Sequence, residues 1–389
     1  MTLLSIPRRM ALGLGVAALS LSLFAPSAFA QSGDTLVIAK AADPQSLDPA
    51  QTMDNNDWTI TYPIYQRLVK YDTAADGTGL TSVVGELAKS WSASDDGLTW
   101  TFQLNDGQKF SDGSDVNAAA VKYSFDRLFS IGAGPSEAFP SGIEVTASGP
   151  MEVQFKLPGQ FAPFLYTLAN NGAGIVNPSV ASQEGDEGTT WLSAKSAGSG
   201  AYMLTGWERG QALTLEPNPH YGGAAPSIGQ VRVAIIAEAS ARRLQLEAGD
   251  VHIAQSLPVD QLEALESTDG ITVASFPSLK VTYLYMNNKV APLDNPAVRR
   301  AISYAMDRDA IIDGILGGNG KAMTGPIPDG MWGAKDVEAY AYDIAAAKAA
   351  LAEADPATLD ITMLYSDADP NWEPVAIATQ AFLLSLIHI

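Results

Sequence analysis

The feature that most constrains the fold is a run of alternating apolar and polar residues between two Asp-Gly pairs. The apolar positions of the run are Leu98, Trp100, Phe102 and Leu104. Asp96-Gly97 precedes them, and Asp106-Gly107 follows them. A period of two residues is typical of a strand with one buried face, and Asp-Gly favours tight turns. The run therefore predicts a β-hairpin.

Helical periods alternate with further short strands along the chain. Asn117 has the position of a helix N-cap, and Val121, Phe125 and Leu128 fall on one face of the helix that follows. Other predicted helices cover residues 58–71, 239–248, 260–267, 296–314, 343–354 and 372–384. Other predicted strands or strand pairs cover residues 35–39, 144–157, 202–217, 251–254, 271–275, 282–286 and 359–365. This mixture predicts an α/β fold with an antiparallel insertion in the first half of the chain.

The first 30 residues have the three parts of a secretory signal peptide. Arg8 and Arg9 precede an apolar run, residues 10–24, and Ala28-Phe29-Ala30 supplies the small residues of a cleavage site. The apolar run is short for a bilayer span, which needs about 20 residues. We therefore expect export with cleavage before Gln31, and a membrane anchor is the alternative.

Composition limits both the partners and the chemistry. The chain contains no cysteine, which excludes disulfides, cysteine nucleophiles and a lipid-modified N-terminal cysteine. Its formal net charge of −20 argues against nucleic acid and anionic membrane surfaces as partners. We therefore expect a monomer that is free in the periplasm, is not lipid-anchored and binds no nucleic acid.

No pattern in the sequence predicts an active site. The chain has three histidines, which are His220, His252 and His388. Their spacing does not match a zinc protease. Gly198-Ser199-Gly200 imitates a nucleophile elbow without its Gly-x-Ser-x-Gly form, and residues 317–321 do not match the spacing of a phosphate-binding loop. We therefore expect no enzymatic activity, no metal and no cofactor.

Several segments, in order along the chain, resemble one family of transport proteins. They include Ser46-Leu47-Asp48-Pro49, Tyr65-Gln66-Arg67-Leu68, Gly85-Glu86-Leu87-Ala88, Lys109-Phe110-Ser111-Asp112-Gly113, Tyr283-Leu284-Tyr285-Met286 and Asn295-Pro296-Ala297-Val298-Arg299. On these segments the chain resembles the extracellular solute-binding proteins of the peptide/nickel class (family 5), the periplasmic components of dipeptide- and oligopeptide-type ABC importers. The family's Gly-Thr-Gly-Pro-Tyr segment has the form Gly198-Ser199-Gly200-Ala201-Tyr202 here.

The resemblance implies a two-lobed periplasmic-binding-protein fold with an extra antiparallel subdomain. Lobe I is expected at residues 31–278, with the inserted subdomain near residues 58–191. Part of lobe II is expected at residues 279–389, and the first crossover between the lobes near residues 276–282. Because the family continues beyond this C-terminus, we expect an incomplete second lobe whose last residues are not native.

The resemblance also implies that the protein binds a dipeptide or oligopeptide and delivers it to an ABC permease of the inner membrane. Receptors for nickel chelates, oligosaccharides or opines remain open within the family. A sensor role and a periplasmic hydrolase or peptidase are alternatives from other classes. Aromatic and amide side chains suit such a cleft because they give contact area and hydrogen bonds without demanding one ligand. The candidate ligand-binding residues are Asn55, Asn56, Trp58, Tyr202, Asn287, Asn288 and Trp332.

Overall fold

The structure is a computed structural model that describes most of the chain. The described residues are 34–72, 82–181, 186–274, 279–328, 331, 333–335, 337, 339–354, 359–365, 369 and 371–387. The predicted signal peptide lies outside these residues. Within them, no helix has the length and apolar composition that crossing a membrane requires.

Strands and short helices dominate the first part of the chain, and helices dominate the last part. The strands are β1 (Thr35–Lys40), β2 (Val69–Tyr71), β3 (Val83–Gly85), β4 (Ala88–Ala93), β5 (Thr99–Leu104), β6 (Glu144–Gly149), β7 (Glu152–Lys156), β8 (Tyr202–Glu208), β9 (Ala212–Pro217), β10 (Gln230–Ile235) and β11 (Ile253–Ala254). The helices are α1 (Asn55–Thr61), α2 (Ala118–Ile131), α3 (Phe164–Thr167), α4 (Pro178–Ala181), α5 (Thr189–Leu192), α6 (Ala239–Ala248), α7 (Val259–Glu266), α8 (Pro296–Ala305), α9 (Arg308–Gly314), α10 (Ile344–Ala354) and α11 (Trp372–Ile387). Two 3-10 helices cover Gly134–Ala138 and Asn171–Ala173.

The described strands form a mixed sheet and two antiparallel sheets. The mixed sheet has the order β11-β1-β10-β9-β8, and β1 runs parallel to both of its neighbours. β10, β9 and β8 pair antiparallel. A four-stranded antiparallel sheet has the order β4-β5-β7-β6, and β2 pairs with β3. The predicted α/β fold with an antiparallel part in the first half is confirmed.

The alternating run predicts β5 correctly, and its buried face belongs to an aromatic core. The ring of Phe155 on β7 lies edge-on to Phe102 on β5 and to Phe125 on α2, with centroid distances of 5.6 and 4.8 Å. Asn117 caps α2 as predicted, since its Oδ1 accepts a hydrogen bond from the N–H of Ala120 at 3.0 Å. Full burial of one such ring stabilises a fold by about 1.5–3 kcal/mol. The four-stranded sheet and α2 therefore form one packed layer pair.

The helix predicted for residues 58–71 is wrong at both ends. α1 begins at Asn55, and the Oδ1 of Asp54 caps it by accepting from the N–H of Asn56 at 2.5 Å. The helix ends at Thr61 because Pro63 lacks the N–H that would continue the hydrogen-bond ladder. The end of the predicted range is β2, which pairs with β3.

Three predicted strands are not strands in the part of the chain that the structure describes. They are residues 271–275, of which residue 275 lies outside the described part, residues 282–286 and residues 359–365. Their alternating pattern predicts an extended conformation, but a strand also needs a hydrogen-bonded neighbour. Tyr285 is 83% exposed and Leu364 is 90% exposed, so these apolar side chains pack in no core.

The single helix predicted for residues 296–314 is divided into α8 and α9. Met306 leaves the helical conformation, with φ −80° and ψ 109°. The Oδ1 of Asp307 then accepts from the N–H of Ala310 at 3.0 Å and caps α9. Asp competes with helix continuation because its side chain can bond a nearby backbone N–H. The helical period alone does not reveal this break.

A buried ion pair joins the loop after β1 to α2. The terminal nitrogens of Arg127 donate to the two carboxylate oxygens of Asp48 at 2.8 and 2.6 Å, and both side chains are at most 2% exposed. Asp48 also accepts from the N–H of Ala50 at 3.0 Å, and Arg127 donates to the carbonyl of Glu187 at 2.6 Å. A buried pair is tolerated when its geometry is bidentate and further hydrogen bonds support it. The Leu-Asp-Pro segment therefore has a structural role.

Loss of one partner of this pair is expected to leave an uncompensated buried charge. We predict that Asp48→Asn lowers the free energy of unfolding by about 3–5 kcal/mol, as measured by denaturant unfolding. Asp126→Asn is the control, because it removes an exposed pair with Lys122 on the same helix. The expected loss in the control is below about 1 kcal/mol. Equal losses in the two variants would contradict the structural role of Asp48.

The Gly198-Ser199-Gly200 segment lies directly against the backbone that follows α1. A Cβ on Gly200 would lie 2.2 Å from the carbonyl oxygen of Pro63, and a Cβ on Gly198 would lie 2.1 Å from that of Ile64. The N–H of Gly200 also donates to the carbonyl of Ile64 at 2.8 Å. Only glycine permits so close an approach. The segment that imitates a nucleophile elbow is thus a packing contact between two stretches of main chain.

Alanine at Gly200 is expected to force these two stretches apart. We predict that Gly200→Ala lowers the free energy of unfolding by about 1–3 kcal/mol, the usual cost of overpacking, in a denaturant titration. A Cβ on Gly159 would meet no atom within 4 Å, so Gly159→Ala serves as the control. The control is expected to change stability by no more than about 1 kcal/mol. A Gly200→Ala protein as stable as the control would show that the main chain relaxes at no cost.

Candidate ligand-binding site

An open depression lies at the carboxyl end of β1. It has a volume of about 490 Å³ and is lined by Gln45, Ser46, Gln51, Met53, Asp54 and Asp57. These residues belong to the loop after β1 and to the start of α1. β1 has β10 on one side and β11 on the other, and the three strands are parallel. Ligands of open α/β sheets bind outside the carboxyl ends of such strands, where the strand order reverses.

Hydrogen bonds from Lys40 and Gln45 are among those that hold α1 against β1 and the loop that follows it. The Nζ of Lys40 donates to the carbonyl of Asn56 at 2.8 Å and also to the Oγ1 of Thr59. The N–H of Gln45 donates to the Oδ1 of Asp57 at 2.7 Å. Bonds from the end of β1 and from the loop after it therefore both hold α1, which forms part of the wall of the depression.

Lys40 and Asp57 place opposite charges behind this wall. Lys40 is 5% exposed, and Asp57 is 3% exposed. Burial lowers the pKa of Lys40 to about 8, although the carboxylates of Asp57 and Asp54 act in the opposite direction. Burial also raises the pKa of Asp57, against the hydrogen bond from Gln45. The depression therefore has the buried amine of Lys40 beneath a lining of amide and carboxyl groups.

Three predicted site residues lie on α1, next to residues that line the depression. Asn55 is exposed at the first position of the helix. The side-chain amide of Asn56 donates to the carbonyl of Asp43 at 2.8 Å, and the indole N–H of Trp58 donates to the carbonyl of Thr52 at 3.1 Å. Trp58 is half-buried and lies within α1, in agreement with the helix that the sequence predicts from residue 58. Asn55 therefore has the most accessible of the three side chains.

Of the other predicted site residues, those that the structure describes do not line this depression. Tyr202 begins β8, and its hydroxyl donates to the carbonyl of Ile228 at 3.0 Å. Asn287 and Asn288 are exposed and follow one of the extended segments. Trp332 lies outside the described residues. The structure therefore brings together only the α1 group of the predicted set.

Lys40 and the acidic lining are functional candidates that the sequence patterns did not identify. The position of Lys40 could have identified it, because it is a lysine at the end of an apolar strand. Asp54 and Asp57 occupy the N-cap and the first turn of a helix, where acidic residues are common for helix stability alone. Their contribution to the lining depends on how α1 folds back onto β1.

Comparison with known proteins identifies the family. Residues 82–386 match the sequence profile of the bacterial extracellular solute-binding proteins, family 5 Middle. The chain is 54% identical over 356 residues to the probable D,D-dipeptide-binding periplasmic protein DdpA of Escherichia coli (strain K12). That match covers 91% of this chain and 69% of DdpA. The chain belongs to this family.

A second relative and a solved structure agree with this membership. The glutathione-binding protein GsiB of Pectobacterium atrosepticum is 29% identical over 337 residues, covering 85% of this chain and 63% of GsiB. The periplasmic binding protein DppA from Helicobacter pylori, solved in complex with the peptide STSA, has a TM-score of 0.81 and 27% identity. That match covers 90% of this chain and 72% of the DppA chain. The chain thus spans 63–72% of the length of these three proteins.

Membership of this family confirms the resemblance that the sequence segments indicate. The chain has the α/β fold of the two-lobed periplasmic binding proteins, and its family consists of extracellular solute-binding proteins. The predicted resemblance to the peptide/nickel class is therefore correct, and the family is not one of enzymes.

The buried amine of Lys40 is expected to make the stability of this solute-binding protein depend on pH. Its pKa is about 8 in the folded protein, below the ordinary value of 10.5. At a pH between these two values the unfolded chain holds the proton and the folded protein releases it. The contribution of Lys40 to stability therefore increases with pH. We predict that the wild type gains stability relative to Lys40→Met between about pH 7 and about pH 10.

Denaturant unfolding at several pH values checks this prediction. The exposed Lys89 provides the control variant, Lys89→Met, which removes an ammonium group that pairs with Asp106 at the surface at 3.5 Å. A difference between wild type and Lys40→Met that stays constant over the whole pH range would contradict the lowered pKa.

Proposed function

We propose that the protein binds a dipeptide or short oligopeptide in the periplasm and delivers it to an ABC permease of the inner membrane. The observation that carries the proposal is the 54% identity to DdpA along 91% of the chain. The name of that relative states that it binds D,D-dipeptides. A dipeptide of two D-residues is therefore the first ligand to test.

The depression at the carboxyl end of β1 supports a small polar ligand. Its volume of about 490 Å³ lies within the range of about 300–1,000 Å³ that is usual for small-molecule sites. The amides of Gln45 and Gln51 can both donate and accept, and the carboxyl oxygens of Asp54 and Asp57 add further acceptors. This combination suits the ammonium and amide groups of a peptide better than it suits an anion without donors.

Binding is proposed to act through closure of two lobes. Lobe I comprises residues 31–278 with an inserted subdomain near residues 58–191, and lobe II begins at residue 279. A ligand that contacts both lobes stabilises the closed arrangement, because its second set of contacts exists only in that state. The permease then binds the closed protein in preference to the open one.

The proposed ligand contacts divide into two groups. Asn55, Asn56 and Trp58 lie on α1, where Asn55 is exposed and the other two side chains are bonded within the protein. We therefore assign direct contact to Asn55 and shaping of the wall to Asn56 and Trp58. Tyr202, Asn287, Asn288 and Trp332 are proposed contacts for the remaining sides of the cleft.

Export and state of assembly complete the proposal. The first 30 residues direct the chain to the periplasm and are removed before Gln31. Since the chain has no cysteine, the proposed product has no lipid-modified cysteine as an anchor. We also propose that it acts as a monomer. Its negative net charge of −20 disfavours nucleic acid as a partner.

Native mass spectrometry of the protein purified from the periplasm tests the class of ligand. A co-purified peptide supports the proposal. A nickel chelate, an oligosaccharide or an opine would contradict the peptide assignment within the same family, and steady release of peptide fragments would favour a peptidase. A complex with a chemoreceptor instead of a permease would favour the sensor role.

Titration calorimetry with D-Ala–D-Ala and L-Ala–L-Ala tests the site. We predict that Asn55→Ala weakens binding up to about tenfold, the effect of one hydrogen bond, with little change in stability. Gln160→Ala is the control, because Gln160 is an exposed amide that bonds the carbonyl of Asp96 in the antiparallel part. An unchanged affinity in Asn55→Ala would contradict the proposed contact between Asn55 and the ligand.

A further inference from the structure

Arg242 of α6 is buried and bonds only to main-chain carbonyls. It is 2% exposed. Its Nε donates to the carbonyl of Gln255 at 3.0 Å, and one terminal nitrogen donates to Ser256 at 2.7 Å. The other terminal nitrogen donates to the carbonyls of Ile236 and Ala237 at 2.6 and 2.7 Å. One guanidinium therefore holds four carbonyl groups in two separate segments.

These two segments leave the strands on either side of β1. Ile236 and Ala237 follow the end of β10, and Gln255 and Ser256 follow the end of β11. In the sheet, β1 lies between β10 and β11, and all three are parallel. Arg242 thus connects the carboxyl ends of both neighbours of the strand that leads into the depression.

The two segments are also bonded to the last residues of β1. The N–H of Ile236 donates to the carbonyl of Lys40 at 2.8 Å, and the N–H of Gln255 donates to the carbonyl of Ala39 at 3.0 Å. The segment after β10 and the segment after β11 are therefore each held twice, once by a hydrogen bond to β1 and once by Arg242.

The charge of Arg242 makes this arrangement hard to deform. Arginine remains charged when buried, and a buried cation is tolerated only when its donors are satisfied. Burial lowers the pKa of Arg242, and Glu238 acts in the opposite direction. If either segment moved away, a charged group would lose its acceptors without reaching water. Arg242 therefore penalises any other conformation of the two segments.

The conformation of Ser256 is consistent with such a constraint. Its φ is +54°, in the left-handed region that is unfavourable for a residue with a Cβ. Its carbonyl is one of the four that accept from Arg242. A main chain held in an unfavourable region at a proposed ligand-binding edge requires a compensating interaction, and the guanidinium provides one.

Where a peptide carbonyl points at Arg242, the N–H of the same peptide group points away from it. In a trans peptide the C=O and the following N–H point in opposite directions. The four carbonyls therefore aim the N–H groups of Ala237, Glu238, Ser256 and Leu257 away from the guanidinium. Within the described residues, these four N–H groups donate no hydrogen bond to the protein.

We propose that Arg242 is a positioning residue for ligand binding, which sets the main-chain N–H groups of residues 237–238 and 256–257 as donors to ligand oxygens. The proposal rests on the proposed function, and the matching ligand groups are the carbonyl and carboxylate oxygens of a peptide. Arg242 itself does not touch the ligand. It fixes the edge before binding, so that less conformational freedom is lost when the ligand arrives.

The test compares Arg242→Lys with Arg243→Lys in the same helix. Lysine keeps the charge but cannot span two segments with one ammonium group. Arg243 is the matched control because it is partly exposed and bonds to Glu247 within α6. D-Ala–D-Ala and L-Ala–L-Ala are the probes, calorimetry gives the affinity, and hydrogen exchange resolves the amides of residues 237, 238, 256 and 257. All titrations are made at a temperature at which circular dichroism shows each variant to be folded.

We expect the dipeptide to slow exchange of these four amides in the wild type and in Arg243→Lys. In Arg242→Lys we expect this protection to be lost and the affinity to fall by about tenfold or more, as when one or more hydrogen bonds are lost. A purely structural role would change the unfolding temperature without removing ligand-dependent protection. The inference is overturned if the wild type binds the dipeptide without protecting these amides, or if Arg242→Lys binds as tightly as Arg243→Lys. A wild type that binds no dipeptide counts against the proposed function instead, and the same comparison is then made with the solute that co-purifies.

Discussion

The bidentate pair between Asp48 and Arg127 is the contact on which the position of the proposed ligand-binding edge depends. It connects the loop after β1 with α2, two parts of the chain that are 79 residues apart. The residues that line the depression begin at Gln45 and end at Asp57, so Asp48 lies within that stretch. Because neither charge is tolerated alone in the interior, the loop stays on α2 unless both groups leave together. The shape of the depression is therefore set by packing outside it.

A second buried pair joins the segment just before β2 to the loop between β3 and β4. The Nε of Arg67 donates to Glu86 at 3.1 Å, a terminal nitrogen donates to the other carboxylate oxygen at 3.1 Å, and the guanidinium carbon lies 4.0 Å from the ring centroid of Tyr62. Burial raises the pKa of Glu86 while Arg67 opposes it. Asp48, Arg67 and Glu86 all belong to the segments that carry the family resemblance. Since those segments specify the scaffold, they predict the family and leave the ligand open.

Local patterns predicted the elements that local interactions decide. β5 follows from its period of two, and α2 from its N-cap and apolar face, because these signals lie within the element itself. Residues 282–286 have the same alternating pattern but form no strand. A strand needs a pairing partner, and that partner comes from residues that are distant in the sequence. The site follows the same rule. Asn55, Asn56 and Trp58 lie next to residues that line the depression, and their role in binding stays a prediction. Lys40 and Asp57 become neighbours only when α1 folds back onto β1.

Two buried cations lie behind the edge that is proposed to bind the ligand, and they act on main chain. Lys40 bonds the carbonyl of Asn56, and Arg242 bonds four carbonyls beyond β10 and β11. The four carbonyls that bond Arg242 point at the guanidinium, so the N–H groups of the same peptide groups point away from it. Lys40 frees no such donor, because the N–H that follows the carbonyl of Asn56 donates to the carbonyl of Asp54 at 3.1 Å. Peptides of different sequence share carbonyl oxygens and differ in side chains. In the proposed function, an edge with oriented backbone donors suits what all peptides have in common, and selection among them is assigned to side chains such as those of Asn55 and Asp54.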